Sequence, residues 1–311
     1  MYNYDTATPV IQPLASLQKT DPSEAMLDEI HDHLVFVLKE KLDWMDATNP
    51  EMAVGGGHVV IRFERGGQRY VFRVAKHGLQ QHKRTMLAYR HVGQLGFIPE
   101  KVYHDGVSLL ERHADGVPLS AQVSDAVLKQ LAKALGQLHS MSAQGFGPLD
   151  FDSQGAFTDA TDYYQTQPAV DVDWAEMDLS DAQLEAVNAA IQDANTLPFA
   201  LLCAPVQLGH GDLWRNNILV TASDFKILDW DRIGAYPVER DLAFLLELGL
   251  SETQRALFFT HYAQRDVVKP EVLRWFAKRH VLRDRGLRLD KKWAKIQAID
   301  SMGLDAALQL T

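Results

Sequence analysis

The most informative stretch of this 311-residue chain is His210-Gly-Asp-Leu-Trp-Arg-Asn-Asn217, followed by Ile218-Leu-Val220 and by Phe225-Lys-Ile-Leu-Asp229. It places an Asp and an Asn five residues apart on a tight loop, then an apolar strand, then a second Asp at a strand end. Phosphoryl transfer from a nucleotide needs this set, because a carboxylate orients the attacking hydroxyl and hard oxygen ligands hold Mg²⁺ on the phosphates. We therefore predict Asp212 as the catalytic base, and Asn217 and Asp229 as Mg²⁺ ligands.

Short strands precede this stretch and helices surround it. Two β-rich runs, His58–Glu64 and Gln68–Val74, are joined by Arg65-Gly66-Gly67, which predicts a tight hairpin. A helical stretch from about 79 to 95 and a second strand pair, 101–104 and 107–112, follow. The sequence thus predicts an α+β fold with an irregular arm over 1–25, a small lobe with an antiparallel sheet over 26–111, and a larger, mostly helical lobe over 112–311.

The helical character of the second lobe is visible in its apolar spacing. Ser124 and Asp125 are capping candidates for a helix whose apolar residues recur at helical spacing, namely Val127, Leu128, Leu131, Leu135 and Leu138. Ser180 and Asp181 begin a similar run that extends to about Ala194.

The pattern HGDxxxxN with a later Asp resembles the aminoglycoside phosphotransferase and choline kinase group, which are small-molecule kinases of the bilobal protein-kinase-like fold. Other segments agree with this resemblance: Asp241 with Leu242-Ala243, Leu138-His139, Leu110-Glu111-Arg112 with Asp115-Gly116, and Gly55-Gly-Gly-His58 before the hairpin. The resemblance extends from about Ala53 to Glu247. No GxxxxGK[ST] motif occurs, so a P-loop nucleotide site is excluded.

The resemblance implies that a nucleotide lies between the lobes. Its phosphates would lie under Gly55, Gly56, Gly57 and His58, and its base would lie against the backbone of Glu111, Arg112 and His113. A basic residue of the third strand would hold the α and β phosphates. Arg73 occupies the matching position, with Lys76 as a competitor, and both remain candidates.

One departure from the family pattern concerns the acid that accompanies this basic residue. The family carries a Glu on the next helix, but no Asp or Glu occurs between Phe72 and Glu100. Two alternatives follow: a Gln or His of the helix orients the base, or the carboxylate comes from another element.

The composition excludes several classes of protein. A formal net charge of −10 argues against a nucleic-acid partner. Neither a membrane-spanning run nor a signal peptide is recognisable, which favours a cytoplasmic protein without a membrane partner. The single cysteine, Cys203, lies in the apolar run LPFALLCAPV, which predicts a buried, unreactive thiol. The oligomeric state cannot be predicted from these features.

Two oppositely charged blocks bear on the acceptor. Residues 134–214 contain no Lys or Arg and twelve acids, whereas residues 265–296 contain eleven basic and four acidic residues. If the acids between Asp150 and Glu185 face the site, a cationic acceptor is expected. If the basic residues face it, an anionic acceptor is expected; these are Arg274, Lys278, Arg279 and Arg283. From the sequence we favour a cationic or neutral acceptor.

The expected activity is transfer of the γ-phosphate of ATP or GTP, with Mg²⁺, to a hydroxyl of a small acceptor. Candidate acceptors are an aminoglycoside, an amino sugar, a choline-like amine or a sugar. The alternative is a kinase-like regulatory module that binds nucleotide without transferring phosphate. The absence of the helix Glu favours that alternative, and the presence of Asp212, Asn217 and Asp229 argues against it.

Overall fold

The computed structural model describes residues 22–55, 57–76, 79–150, 152–174, 177–284, 286–304 and 308. The chain divides into two compact units, residues 1–115 and 116–311. Of the predicted N-terminal arm, residues 1–21 lie outside the described residues. The last part of the arm already belongs to helix α1 (Glu24–Phe36), which begins at Glu24 because the Ser23 hydroxyl accepts a hydrogen bond from the Met26 N–H.

The first unit contains α1, a second helix and an antiparallel sheet. After α1 come β1 (Thr48–Val54), β2 (His58–Arg65), β3 (Gln68–Ala75), α2 (Leu79–Val92), β4 (Lys101–His104) and β5 (Ser108–Arg112). The described residues form a five-stranded sheet with the order β1-β2-β3-β5-β4. Both strand pairs expected from the sequence are present, and a 3₁₀ turn over Gly93–Leu95 extends α2 to the expected end.

The predicted hairpin between β2 and β3 is confirmed. Arg65 pairs with Gln68, and the two loop residues Gly66 and Gly67 have φ angles of +56° and +73°. Two successive positive φ angles define the loop whose twist matches paired antiparallel strands, and glycine adopts them without a steric penalty. The glycine pair therefore fixes the register of β2 on β3.

Every second side chain of β2 and β3 points to the same face of the sheet, and this face is buried. Ile61 and Phe72 are almost completely buried and pack with Ile30 and Leu34 of α1 in one apolar cluster. Full burial of such a side chain contributes roughly 1.5–3 kcal/mol. Because successive strand residues point to opposite faces, Arg73 lies on the face away from this cluster.

The described part of the second unit is rich in helices and carries two small sheets. Its strands are β6 (Val117–Pro118), β7 (Phe146–Leu149), β8 (Gly155–Phe157), β9 (Gln207–Gly209), β10 (Ile218–Val220), β11 (Phe225–Ile227) and β12 (Gly234–Tyr236). Its helices are α3 (Asp125–Leu138), α4 (Ala160–Gln165), α5 (Asp181–Asn195), α6 (Phe199–Leu202), α7 (Glu239–Leu242), α8 (Phe244–Glu247), α9 (Glu252–His261), α10 (Pro270–Arg283) and α11 (Leu289–Ser301). The sheets have the orders β11-β10-β6 and β8-β7-β12-β9.

The predicted helix starts in the second unit are confirmed. The Ser124 hydroxyl accepts from the Val127 N–H and begins α3, and Ser180 forms a capping box with Gln183 at the start of α5. The apolar residues expected on one side of α3 are all buried. α10 begins at Pro270 and packs against α5, α7, α8 and α11.

The prediction that Cys203 is buried is wrong, because Cys203 is exposed. The apolar run around it forms the short surface helix α6, in which Leu201 is buried while Phe199 is 79% exposed. The apolar residues around Cys203 therefore did not indicate that the thiol is buried.

No helix among the described residues is both long and apolar enough to cross a membrane.

Candidate active site

The loop between β1 and β2 is the first predicted nucleotide-binding segment. The Gly55 N–H donates to the His58 carbonyl over 2.8 Å. The ammonium of Lys76, a buried residue just after β3, donates to the Gly55 carbonyl over 3.1 Å, and the Lys76 N–H donates to the Gly57 carbonyl over 2.8 Å. Gly56 lies outside the described residues. Lys76 thus holds the backbone of the glycine-containing loop in place.

Arg73, the second basic candidate, forms an ion pair with a neighbouring strand. Its Nε donates to Glu111 Oε2 over 2.6 Å, and its terminal nitrogen also contacts Oε2. The other oxygen, Oε1, accepts from the Tyr89 hydroxyl of α2. The side chain of Glu111 is 3% exposed and that of Arg73 is 15% exposed. The pair is therefore shielded from bulk solvent.

This ion pair bears on the two alternatives for the missing helix acid where the basic residue is Arg73. The carboxylate comes from another element, namely β5, and α2 contributes the Tyr89 phenol instead of an acid. Burial and the neighbouring Glu111 charge raise the pKa of Tyr89 well above its ordinary value, so the phenol stays protonated and donates. Sequence reasoning expected Glu111 near the nucleotide base and missed its pairing with Arg73. The pairing of Arg73 with Glu111 follows from the register of β3 on β5, which the sequence alone does not show.

The end of β5 leads into the predicted linker, and part of its backbone is already hydrogen-bonded within the first unit. The Arg112 N–H donates to the Glu100 carbonyl over 2.8 Å, and the His113 N–H donates to the Arg69 carbonyl over 2.9 Å. His113 Nδ1 lies 3.1 Å from Asp115 Oδ1. A ligand at this edge would therefore form hydrogen bonds with backbone groups other than the N–H groups of Arg112 and His113.

In the second unit, the predicted catalytic loop begins with a glycine that no other residue can replace without strain. Gly211 has a φ of +82°, and a Cβ built on it would lie 2.3 Å from the Arg232 carbonyl oxygen and 2.5 Å from Tyr236 Cε2. Both values are far shorter than van der Waals contact. The Gly of the His-Gly-Asp sequence is therefore required by backbone conformation and by space.

The carboxylate of Asp241, at the start of α7, holds this loop. Oδ2 accepts from the His210 N–H over 2.5 Å, and Oδ1 accepts from the Gly211 N–H over 2.8 Å. His139 Nε2 lies 3.2 Å from Oδ2, and His139 Nδ1 lies 2.7 Å from the Tyr262 hydroxyl. Burial by itself raises the pKa of Asp241, but these hydrogen bonds and the two nearby imidazoles outweigh it and lower the pKa.

His210 connects the catalytic loop to the predicted metal segment. Its Nε2 lies 2.8 Å from the Leu228 carbonyl oxygen, and its Nδ1 accepts from the Asp212 N–H over 3.2 Å. The Trp230 ring packs against the His210 imidazole at 4.6 Å between centroids. His139 and His210, which the sequence predicts to be structural, are both hydrogen-bonded around the catalytic loop.

Asp212 and Asn217 lie on the same loop and contact each other. The Asn217 amide nitrogen donates to the Asp212 carbonyl over 3.0 Å, which directs the amide oxygen away from that carbonyl. The Asp212 carboxylate is partly exposed, and its Oδ2 lies 3.7 Å from Arg232 Nε. A carboxylate on a fixed backbone with solvent access can accept a proton from a bound hydroxyl.

Asn217 and Asp229 lie at the same end of the β10–β11 hairpin. Ile218 pairs with Ile227, and the Leu228 N–H donates to the Asn217 carbonyl over 2.8 Å. Asp229 has φ and ψ of 62° and 60°, a conformation that β-strands do not contain. Among the described residues no group of three or more His, Cys, Asp and Glu side chains could hold a metal. One amide and one carboxylate suit Mg²⁺, which takes its other ligands from phosphates and water.

An open cavity of about 340 Å³ adjoins Asp212 within the second unit. Its basic lining residues are Arg232, Arg240, Arg279, His280 and Arg283, and its acidic ones are Asp212, Glu247 and Asp284. Sequence reasoning missed Arg232 and Arg240. Arg240 directly precedes Asp241 in the "D-L-A" segment, and its Nε donates to the Gly211 carbonyl over 2.7 Å.

The two charge blocks differ in their relation to this cavity. Arg279 and Arg283 line it, whereas Lys278 pairs with Asp193 and Asp300, and Arg274 donates to the Met302 carbonyl. The described acids between 150 and 185 do not line the cavity. Some have local roles instead: Asp159 caps α4, and Asp150 accepts from two N–H groups of its own turn.

Comparison with known proteins identifies the family. The model of the phosphotransferase enzyme family APH matches residues 52–276, and the chain therefore belongs to this family. The expectation of a phosphotransferase enzyme is confirmed. No curated protein matches.

Solved structures show the same protein-kinase-like fold. Aminoglycoside phosphotransferase APH(4)-Ia is 21% identical with a TM-score of 0.55, over 91% of this chain and 98% of its own. The macrolide 2'-phosphotransferase MphH of Brachybacterium faecium is 15% identical with a TM-score of 0.55, over 88% and 99% of the two chains. The choline kinase LicA of Streptococcus pneumoniae is 12% identical with a TM-score of 0.56, over 87% and 100%. The expected α+β fold is thereby confirmed.

Proposed function

We propose that this phosphotransferase is a small-molecule kinase that moves the γ-phosphate of ATP or GTP to a hydroxyl of a small acceptor. The observation that carries the proposal is the position of the Asp212 carboxylate. It lies on a backbone fixed by Asp241, beside Asn217, and it faces an open cavity. A thermostable mutant of APH(4)-Ia was crystallised with AMP-PNP and hygromycin B, which supports a nucleotide and a small acceptor as substrates.

In the proposed reaction, Asp212 orients the acceptor hydroxyl and receives its proton. The hydroxyl oxygen forms a bond to the γ-phosphorus, the bond from phosphorus to the β,γ-bridging oxygen breaks, and the nucleoside diphosphate leaves with that electron pair. Orientation contributes most of the rate, because phosphoryl transfer leaves little covalent chemistry to the protein.

The nucleotide would be held by residues of the first unit. Arg73 would hold the α and β phosphates, because its guanidinium is oriented by Glu111. Lys76 would support the glycine-containing loop over the phosphates, since its ammonium donates to Gly55. Asn217 and Asp229 would hold Mg²⁺, which neutralises phosphate charge when bound. The backbone at Glu111 to His113 remains the proposed contact of the base.

The alternative, a regulatory module without phosphotransfer, loses its main support. It rested on the absence of a carboxylate for the basic residue of the third strand. Glu111 supplies that carboxylate, and the Tyr89 phenol orients it.

The test is nucleoside diphosphate release from Mg·ATP and Mg·GTP in the presence of acceptor pools, compared between wild type and Asp212→Asn. Asp171→Asn, which removes an exposed carboxylate of the same unit, is the matched control. We expect Asp212→Asn to lose turnover and keep nucleotide affinity. Turnover that survives in Asp212→Asn would contradict the assignment, and pyrophosphate release would indicate nucleotidyl transfer instead.

A further inference from the structure

The cavity beside Asp212 carries a cluster of guanidinium groups, which we call the arginine wall: Arg240, Arg279 and Arg283. Among the described residues, the hydrogen-bond partners of this wall are neutral. Arg240 donates to the Gly211 carbonyl and the Tyr164 hydroxyl, Arg279 to the Ala194 carbonyl, and Arg283 to the Pro168 carbonyl. These neutral partners position the guanidinium groups of the arginine wall but do not neutralise their positive charge.

The acids of the cavity have other partners. Glu247 Oε1 lies 3.0 Å from His280 Nδ1, and Asp284 accepts from the Gly286 N–H over 2.9 Å. Asp212, the third acid, is the proposed base and lies 3.7 Å from Arg232. With four arginines against three carboxylates, the lining of the cavity carries a net positive charge.

Two members of the wall, Arg279 and Arg283, are disfavoured as cations by neighbouring arginines, whereas the nearby tyrosines raise the pKa of Arg240. Burial and the charge of Arg283 lower the pKa of Arg279 to about 10, and burial and the charge of Arg240 lower the pKa of Arg283. An anion bound between them would relieve this repulsion, because an opposite charge stabilises the charged form of each group. A cationic ligand would add to it.

We propose that the acceptor is an anion: a compact hydroxyl compound that itself carries a phosphate or carboxylate group, which the arginine wall binds. Guanidinium groups recognise both anions through paired hydrogen bonds. Trp214 and Phe276 also line the cavity, and the exposed indole of Trp214 suits contact with the apolar face of a sugar ring. The inference rests on the proposed function and replaces the cationic or neutral acceptor favoured from the sequence. The hydroxyl would be phosphorylated by the step written above, and the product would carry two anionic groups.

The first measurement is calorimetric binding of four probes to the wild-type protein without nucleotide: glucose 6-phosphate, glucuronate, glucose and glucosamine. They share a pyranose ring and differ in charge. We expect the two anionic probes to bind at least about tenfold more tightly than the other two. The comparison of phosphate with carboxylate identifies which anion the wall prefers. Equal binding of the four, including none, or a preference for glucosamine, overturns the inference.

The second measurement uses Arg283→Gln, since Arg283 is exposed and its replacement should spare the fold. We expect about tenfold weaker binding of the preferred anion, partial recovery in Arg283→Lys, and little change for glucose. Arg288→Gln, which removes an arginine with an 82% exposed side chain outside the cavity lining, is the matched control. Equal losses in Arg283→Gln and Arg288→Gln would overturn the inference, because only general charge would then matter.

A turnover assay separates failure of this inference from failure of the proposed function. Suppose that Asp212-dependent diphosphate release occurs with glucosamine, choline or kanamycin but not with anionic acceptors. This result overturns the anionic acceptor and leaves the proposed kinase activity standing. The absence of Asp212-dependent release with every acceptor rejects the proposed function, and the inference falls with it.

Discussion

The guanidinium of Arg73 on β3 and the carboxylate of Glu111 on β5 form a shielded ion pair, with 2.6 Å between Nε and Oε2. Glu111→Gln removes the charge of this partner of Arg73. We expect Glu111→Gln to raise the nucleotide KM about tenfold and to lower the free energy of unfolding by about 2 kcal/mol. Steady-state kinetics and urea unfolding measure both quantities. Glu100→Gln, in an exposed pair with Arg112, is the control, and equal effects in the two variants would refute the role of Glu111.

Gly211 gives a prediction about steric fit. Gly211→Ala places a methyl group 2.3 Å from the Arg232 carbonyl oxygen, so the catalytic loop must shift. We expect a loss of at least about 2 kcal/mol in the free energy of unfolding.

The matched control is Gly249→Ala, because Gly249 also has a positive φ of +71°, but among the described residues only its two chain neighbours could have atoms within 4 Å of the added Cβ. It should cost only about 1–2 kcal/mol of backbone strain. Thermal unfolding of both variants measures the difference, and equal melting temperatures would show that contact with Arg232 does not matter.

Asp241 is predicted to affect catalysis indirectly, through the position of the catalytic loop. Asp241→Asn removes the charge that accepts from the His210 and Gly211 N–H groups. We expect kcat to fall at least about tenfold with little change in the nucleotide KM, because Asp212 loses its fixed position. Tyr262→Phe removes only the hydroxyl that contacts His139 and should have a smaller effect. A variant with normal kcat would contradict the positioning role.

Asp105 gives a prediction about pH. Burial alone raises its pKa, but hydrogen bonds from His33 and from the Val107 and Ser108 N–H groups lower it from 3.8 to about 2. The unfolded chain therefore takes up this proton at a higher pH than the folded chain. The stabilisation, roughly 2 kcal/mol, is complete above about pH 4 and is lost as the pH falls towards 2.

Urea unfolding of the wild type and of Asp105→Asn measures this contribution between about pH 5 and pH 2. This range spans the ordinary and the lowered pKa of Asp105. The difference in unfolding free energy should shrink as the pH falls. A difference that stays constant would contradict the pKa assignment.

The sequence allowed local features to be predicted, because each depends on neighbouring residues. The hairpin at Gly66-Gly67 follows from glycine conformation, and the start of α3 follows from Ser124. The spacing of Asp212 and Asn217 likewise indicated a shared loop. These features need no knowledge of distant contacts.

Features that depend on tertiary packing could not be predicted in this way. The pairing of Arg73 with Glu111 joins residues 38 positions apart through the order of the strands. The arginine wall combines two arginines of α10 with Arg240 of α7, and neither segment alone shows which of its arginines face the cavity. Surface placement of α6 likewise exposes Cys203.

Two consecutive residues, Arg240 and Asp241, bind opposite sides of one short backbone segment: Arg240 holds the Gly211 carbonyl, and Asp241 holds the Gly211 N–H. Arg240 therefore belongs both to the clamp on the catalytic loop and to the arginine wall, whereas Arg279 and Arg283 of α10 belong to the wall alone. Replacement of the outer residues of α10 could change which compound is phosphorylated while the clamp on Gly211 preserves the reaction. The fold can thus diversify its substrates by substitutions on one helix.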